Sequence, residues 1–155
     1  MQNIIDINFD SPKQQIRLNG DDTKIIELNL TDSGIIVRFN DAISEITALM
    51  NKRNGLRSEI TEVDTNTEEN LEKFSKVVAE FAETETEMRG IINKLFDYDV
   101  CTPMVGKASV FSVKNGEFLY ETIIEKLVGL YESTITAETE KIKARMKKHT
   151  QKYLK

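Results

Sequence analysis

The spacing of apolar residues changes once, sharply, within the first forty positions, and this change constrains the fold more than any other feature. Ile5, Ile7 and Phe9 alternate with Asp6 and Asn8, Ile16 and Leu18 flank Arg17, and Ile26, Leu28 and Leu30 alternate with Glu27 and Asn29. Period two with β-branched residues predicts half-buried strands. Ser11-Pro12 and Asn19-Gly20-Asp21-Asp22 supply the residues that chain reversals need. The pattern predicts a three-stranded antiparallel meander over residues 1–30, with one apolar face that another element must cover.

At Leu30-Thr31-Asp32-Ser33-Gly34 the period becomes helical. Thr31, Asp32 or Ser33 can cap the helix by accepting free backbone N–H groups. Ile35, Ile36, Phe39, Ala42, Ile43, Ile46, Leu49 and Met50 follow in steps that give one stripe, and Asn54-Gly55 is the expected end. Residues 56–66 are polar and fit either a continued helix or a loop. A second helix is expected from Thr65-Asn66-Thr67, with Glu68 and Glu69 in its first turn. Its stripe is Leu71, Phe74, Val77, Val78, Phe81, Met88, Ile91, Ile92, Leu95 and Phe96. The stripe thins at Ala82–Glu87, as a break or a solvent-facing middle would require.

Residues 97–117 are irregular, with Val110, Phe111 and Val113 able to pack back onto the core. Glu117 opens a third helix whose apolar side is Phe118, Leu119, Ile123, Ile124, Leu127, Val128, Leu130, Tyr131 and Ile135. Apolar density then falls, so the last twenty residues are expected to project. The sequence predicts an α+β fold: a small N-terminal antiparallel sheet packed on a mainly helical body of about three long helices. Residues 1–140 form a single domain (strand meander 1–30, helical body 31–140), and residues 141–155 form a basic helical tail.

A chain of 155 residues with 39% hydrophobic and 30% charged residues supplies one modest core and much solvated helix surface. Only Pro12 and Pro103 interrupt it. The net charge of −5 is unevenly placed: residues 141–155 hold seven Lys/Arg and no acid, leaving 14 basic against 26 acidic residues elsewhere. An acidic body makes nucleic acid an unexpected partner, because phosphate contacts require clustered cations. A basic end is more often a helix C-terminus opposing the macrodipole than a binding tail.

The residues offer little chemistry. Cys101 and His149 are the only Cys and His. A nucleophilic thiolate needs a fixed base, and a structural zinc site needs four ligands, so Cys101 reads as a structural thiol. It also excludes an internal disulfide and fits a cytoplasmic setting. The acids between Glu80 and Glu87 form a surface run on one element, whereas a metal site draws ligands from several. Asp97 and Asp99 fit capping, and Gly106 and Gly116 lack phosphate-loop spacing. No enzyme, cofactor or metal is expected. Met1–Phe9 lacks the pattern of a signal peptide, and no stretch approaches the ~20 apolar residues of a membrane span. The sheet's free edges and the sparse helical tail remain as surfaces for a protein partner.

Three blocks carry a family resemblance. Ile5-Asp6-Ile7-Asn8-Phe9, Ile16-Arg17-Leu18-Asn19-Gly20-Asp21 and Ile26–Asn40, which contains Gly34-Ile35-Ile36-Val37-Arg38-Phe39-Asn40, resemble small tail proteins of long-tailed phages and prophages of Gram-positive bacteria. Those proteins look like tail assembly chaperones. Phe96-Asp97-Tyr98-Asp99, Gly106, Phe111 and Asn115-Gly116 with Phe118-Leu119-Tyr120-Glu121 are also similar. The resemblance is densest in residues 4–40 and 95–131. It implies a non-enzymatic role in the host cytoplasm: binding the tape measure protein, keeping its helices soluble, and helping tail tube subunits polymerise. The matching positions are scaffold, so no partner-binding residue is carried over. Alternatives are a structural virion component of the tail or connector, and a regulatory or host-interaction protein. A homo-oligomer is compatible with each.

Overall fold

The computed structural model describes residues 3–53 and 68–153, without the side chains of residues 70 and 149–153. The fold is α+β, a mainly helical body with a small N-terminal sheet. Strands β1 (Gln14–Leu18) and β2 (Asp21–Leu28) pair antiparallel, with Ile16 opposite Ile26. Asn19 and Gly20 both have positive φ (52° and 71°), the geometry of a tight hairpin turn whose twist suits the flanking strands. Alternation then puts Leu18, Ile26 and Leu28 in the core and leaves Ile25 outward.

Among the described residues the N-terminal sheet has two strands, not the expected three. Residues 4–9 carry the same alternation but pair with nothing among the described residues, and Ile4, Ile5, Ile7 and Phe9 are 81–90% exposed. Alternation specifies a strand with two faces; it does not by itself specify which strand it pairs with.

Helix α1 (Ile35–Lys52) follows Leu30, which is buried. Gly34 occupies the cap position, and Asp32 Oδ1 accepts its N–H at 2.9 Å. A Cβ at Gly34 would stand 2.9 Å from that oxygen, so glycine lets the carboxylate close on the backbone. Ile35, Ala42, Ile46 and Leu49 face the core. Ile36 and Ile43 depart from the expected stripe, being 69% and 47% exposed; the buried arc is narrower than the apolar pattern. The expected end at Asn54-Gly55 and the ambiguous stretch 56–66 lie outside the described residues, as does the expected start at Thr65-Asn66-Thr67.

Helix α2 (Glu68–Phe96) runs unbroken through 82–87. Within the thinned part of its stripe Thr84 is buried, its hydroxyl donating to Glu80 O (2.8 Å). Met88, Ile92, Leu95 and Phe96 enter the core, whereas Leu71 and Val78 in the first half are exposed. The helix ends in a left-handed residue, Asp97 (φ 51°), with Tyr98 N–H on Asn93 O (3.1 Å), the arrangement that satisfies terminal carbonyls. Short helix α3 (Cys101–Val105) follows and packs on β2.

Strands β3 (Val113–Lys114) and β4 (Glu117–Phe118) form a second hairpin around Asn115-Gly116, both with positive φ. Glu117 therefore belongs to a strand, and α4 begins at Leu119 and continues to Tyr153. The Phe118 N–H bonds to Glu121 Oε2 (2.9 Å), a carboxylate serving a free donor at the helix entry. Val110 is fully buried and Phe111 packs among Phe81, Phe118 and Tyr120, but Val113, expected in the core, is 48% exposed. Tyr120, Ile123, Ile124, Leu127 and Tyr131 of α4 complete the core, Tyr131 stacking on Phe96 at 6.1 Å. Residues 139–148 of α4 are all exposed.

Candidate functional site

Cys101 and Asp99 are occupied in holding the fold, whereas the side chain of His149 lies outside the described residues. Cys101 is buried, its Sγ lies 3.9 Å from Arg89 O, and burial pushes the thiol up to about 11. A thiol so far from ionisation is a poor nucleophile at neutral pH. Asp99, just ahead of α3, accepts Thr102 Oγ1–H at 2.6 Å and Thr102 N–H at 3.1 Å, and these bonds hold its carboxyl below the ordinary value. Asn93 Oδ1 accepts the N–H groups of Val100 (2.9 Å) and Cys101 (3.1 Å).

Within the acid run of α2, Glu85 has a specific structural role. Its carboxylate pairs with Arg89 Nε (3.0 Å) and accepts from Ser109 Oγ (2.7 Å) and Val110 N–H (2.9 Å). Arg89 in turn donates to the carbonyls of Gly106 (2.8 Å) and Ala108 (2.6 Å). The pair pins the irregular 106–110 stretch to α2. Sequence reasoning did not separate Glu85 from its neighbours; its four-residue spacing to Arg89 was the available signal. Among the described residues no group of three or more His, Cys, Asp or Glu is placed to hold a metal ion. No described helix is long and apolar enough to cross a membrane.

Among the described residues two surface features stand out. The first is the apolar arm, residues 4–9. Four large apolar side chains stand at 81–90% exposure within these six residues. The strands beside it form a two-stranded sheet, so each has an outer edge without a strand partner among the described residues.

The second feature is a groove of about 630 Å³ between α1 and the first half of α4. Phe39, Ile43, Ile46, Ile124 and Val128 contribute its apolar surface, while Glu117, Glu121, Glu125 and Glu132 supply its charge, with no basic residue among its lining. The crowding shows at Glu117, whose carboxyl is pushed up by loss of solvent and by the nearby Glu125 and Glu121 carboxylates. Ile43, displaced from the expected core stripe, is part of this wall.

Comparison with protein-family models, with curated proteins and with solved structures finds no match for this chain.

Proposed function

We propose that this chain is a non-enzymatic tail assembly chaperone of a long-tailed phage or prophage of a Gram-positive host. It acts in the host cytoplasm, where it binds the tape measure protein and helps tail tube subunits polymerise around it. The observation that carries the reading is the exposed arm Ile4–Phe9, which lies within the most strongly resembling block.

The energetics suit a reversible holdase. Full burial of four large apolar side chains is worth roughly 6–12 kcal/mol. Ordering six backbone residues costs a comparable roughly 6–12 kcal/mol. The surplus from one arm is therefore small. The arm captures apolar helical segments that are otherwise exposed and releases them when a better-packed assembly forms. Added strand pairing at a sheet edge would strengthen the contact without demanding a fixed sequence in the partner.

Co-expression with the tape measure protein encoded in the same genome tests the reading. The account expects the tape measure protein to become soluble and to co-purify. A tape measure protein that stays insoluble and unbound contradicts it. Mass spectrometry of purified particles adds a second check: a chaperone is absent or scarce, whereas a stoichiometric protein in the particle is a structural component.

A further inference from the structure

The long helix α4 carries one apolar stripe from the groove into the exposed tail. Ile124, Val128, Ile135, Ile142 and Met146 follow one another at steps of four, seven, seven and four. At 100° per residue these positions stay within an arc about 40° wide. The steps are mirror-symmetric about Ile135. Ile124 and Val128 lie in the groove, whereas Ile142 and Met146 are 47% and 60% exposed.

We propose that the occupant of the acid-rimmed groove is the basic tail of a second copy of this chain. Two α4 helices cross antiparallel at Ile135, and residues 141–148 of each copy lie in the groove of the other. The mirror symmetry superposes the stripe on itself, with Ile142 opposite Val128 and Met146 opposite Ile124. One crossing fills both grooves, so the interface is isologous and closes as a dimer.

Charge selects this occupant. The groove lining includes four carboxylates and no cation, and residues 141–148 contain five Lys/Arg and no acid. In antiparallel helices the like flanks of the two stripes meet. Glu121 and Glu125 stand on the same flank as Lys143 and Lys147, with the same four-residue step. The crossing therefore brings Lys143 to Glu125 and Lys147 to Glu121. On that flank Glu132 meets the uncharged Thr139, with Lys143 one turn further along. Lys143 pairs with Glu140 at 3.5 Å in the single chain, both side chains well exposed, an arrangement too weak to oppose the exchange. The tail cannot fill its own groove, because α4 is continuous from Leu119 to Tyr153.

The test is a charge swap read by light scattering and sedimentation across a dilution series of the full chain. Wild type is expected at twice the 17.7 kDa chain mass. Lys143→Glu and Glu125→Lys are each expected to weaken the dimer about tenfold or more, because each sets like charges together twice per interface. Their equimolar mixture is expected to recover dimerisation, since each tail then meets an opposite groove. Glu121 is left intact because it caps α4, and circular dichroism checks that both variants keep their helix. A wild type of any mass other than two chains, variants that dimerise as tightly as wild type, or a mixture no tighter than its components overturns the proposal. It does not rest on the chaperone reading: a monomer that still holds the tape measure protein defeats this inference alone.

Discussion

Arg38 on α1 donates from Nε to the main-chain carbonyl of Leu95 at 2.9 Å, joining positions 57 apart in sequence. Leu95 lies in the last turn of α2, where carbonyls have no partner within the helix. The same guanidinium pairs with Asp32 at 3.0 Å, so one side chain ties the entry of α1 to the exit of α2. Arg38→Met is expected to cost about 1.5–3 kcal/mol, the range for a bond to a charged group whose partner is left unsatisfied. A lowered urea midpoint at unchanged slope checks this. Arg38→Lys is expected to retain only part of the stability that Arg38→Met loses, because an ammonium cannot serve both directions of the fork.

Glu85→Gln removes the charge that Arg89, Ser109 and Val110 N–H all address. The expected cost is about 2–3 kcal/mol, because Arg89 then loses its carboxylate in a partly covered site. Hydrogen exchange locates the effect: protection falls first at Val110 N–H and in the 106–112 stretch. The neighbouring Glu87→Gln, on the exposed side of α2, is expected within about ±0.5 kcal/mol of wild type.

This contrast shows what the sequence made legible. Local relations were readable: the Asn19-Gly20 turn, the period of Ile16, Leu18, Ile26 and Leu28, the Asp32 carboxylate at a helix entry, and the Asn115-Gly116 turn. Relations that depend on distant chain were not. Glu85 looks like any acid of its run until Ser109 and Val110, 24 and 25 positions away, arrive beside it. Residues 5–9 carry the same alternation as β2 yet pair with no strand among the described residues, since a face pattern does not specify a pairing partner. Ile43 fits a core stripe by period, yet it lines an open groove because α4 covers only part of that stripe. The groove arises from two helices far apart in sequence, and its acid rim was visible only as scattered glutamates.

The carboxylates at the entries of α1 and α3 make stability depend on pH at the acid end. Asp99 is held below its ordinary value of 3.8 chiefly by the Thr102 hydroxyl, and Asp32 below the same value chiefly by the Gly34 N–H. A carboxylate with a depressed folded value contributes stability that is fully present above 3.8 and is lost as pH falls through the folded value. Urea midpoints are expected to be level near neutral pH and to drop below about pH 4. Asp99→Asn is expected to be less stable at neutral pH and to show a shallower acid drop. An unchanged pH profile contradicts the role given to the Asp99–Thr102 hydrogen bonds.

Cys101 provides a probe of the core. With the thiol pushed up to about 11 by burial, the thiolate fraction at neutral pH is roughly a hundredfold below that of an ordinary cysteine. Alkylation of the native chain is expected to be slower than that of the urea-unfolded chain by at least this factor, since burial also limits access. Rapid native alkylation contradicts the burial of Cys101 at the start of α3.

If the apolar arm holds the tape measure protein, removing its apolar side chains must remove the holding, and the most direct measurement compares two chains side by side. Wild type and the variant Ile5→Ser, Ile7→Ser, Phe9→Ser are each co-expressed with the tape measure protein, and the soluble, co-purifying fraction is measured. All three positions are more than 80% exposed, so the variant is expected to keep the wild-type urea midpoint. The account predicts that wild type keeps the tape measure protein in solution and that the variant loses most of that capacity. Equal retention by both chains, or retention by neither, contradicts it.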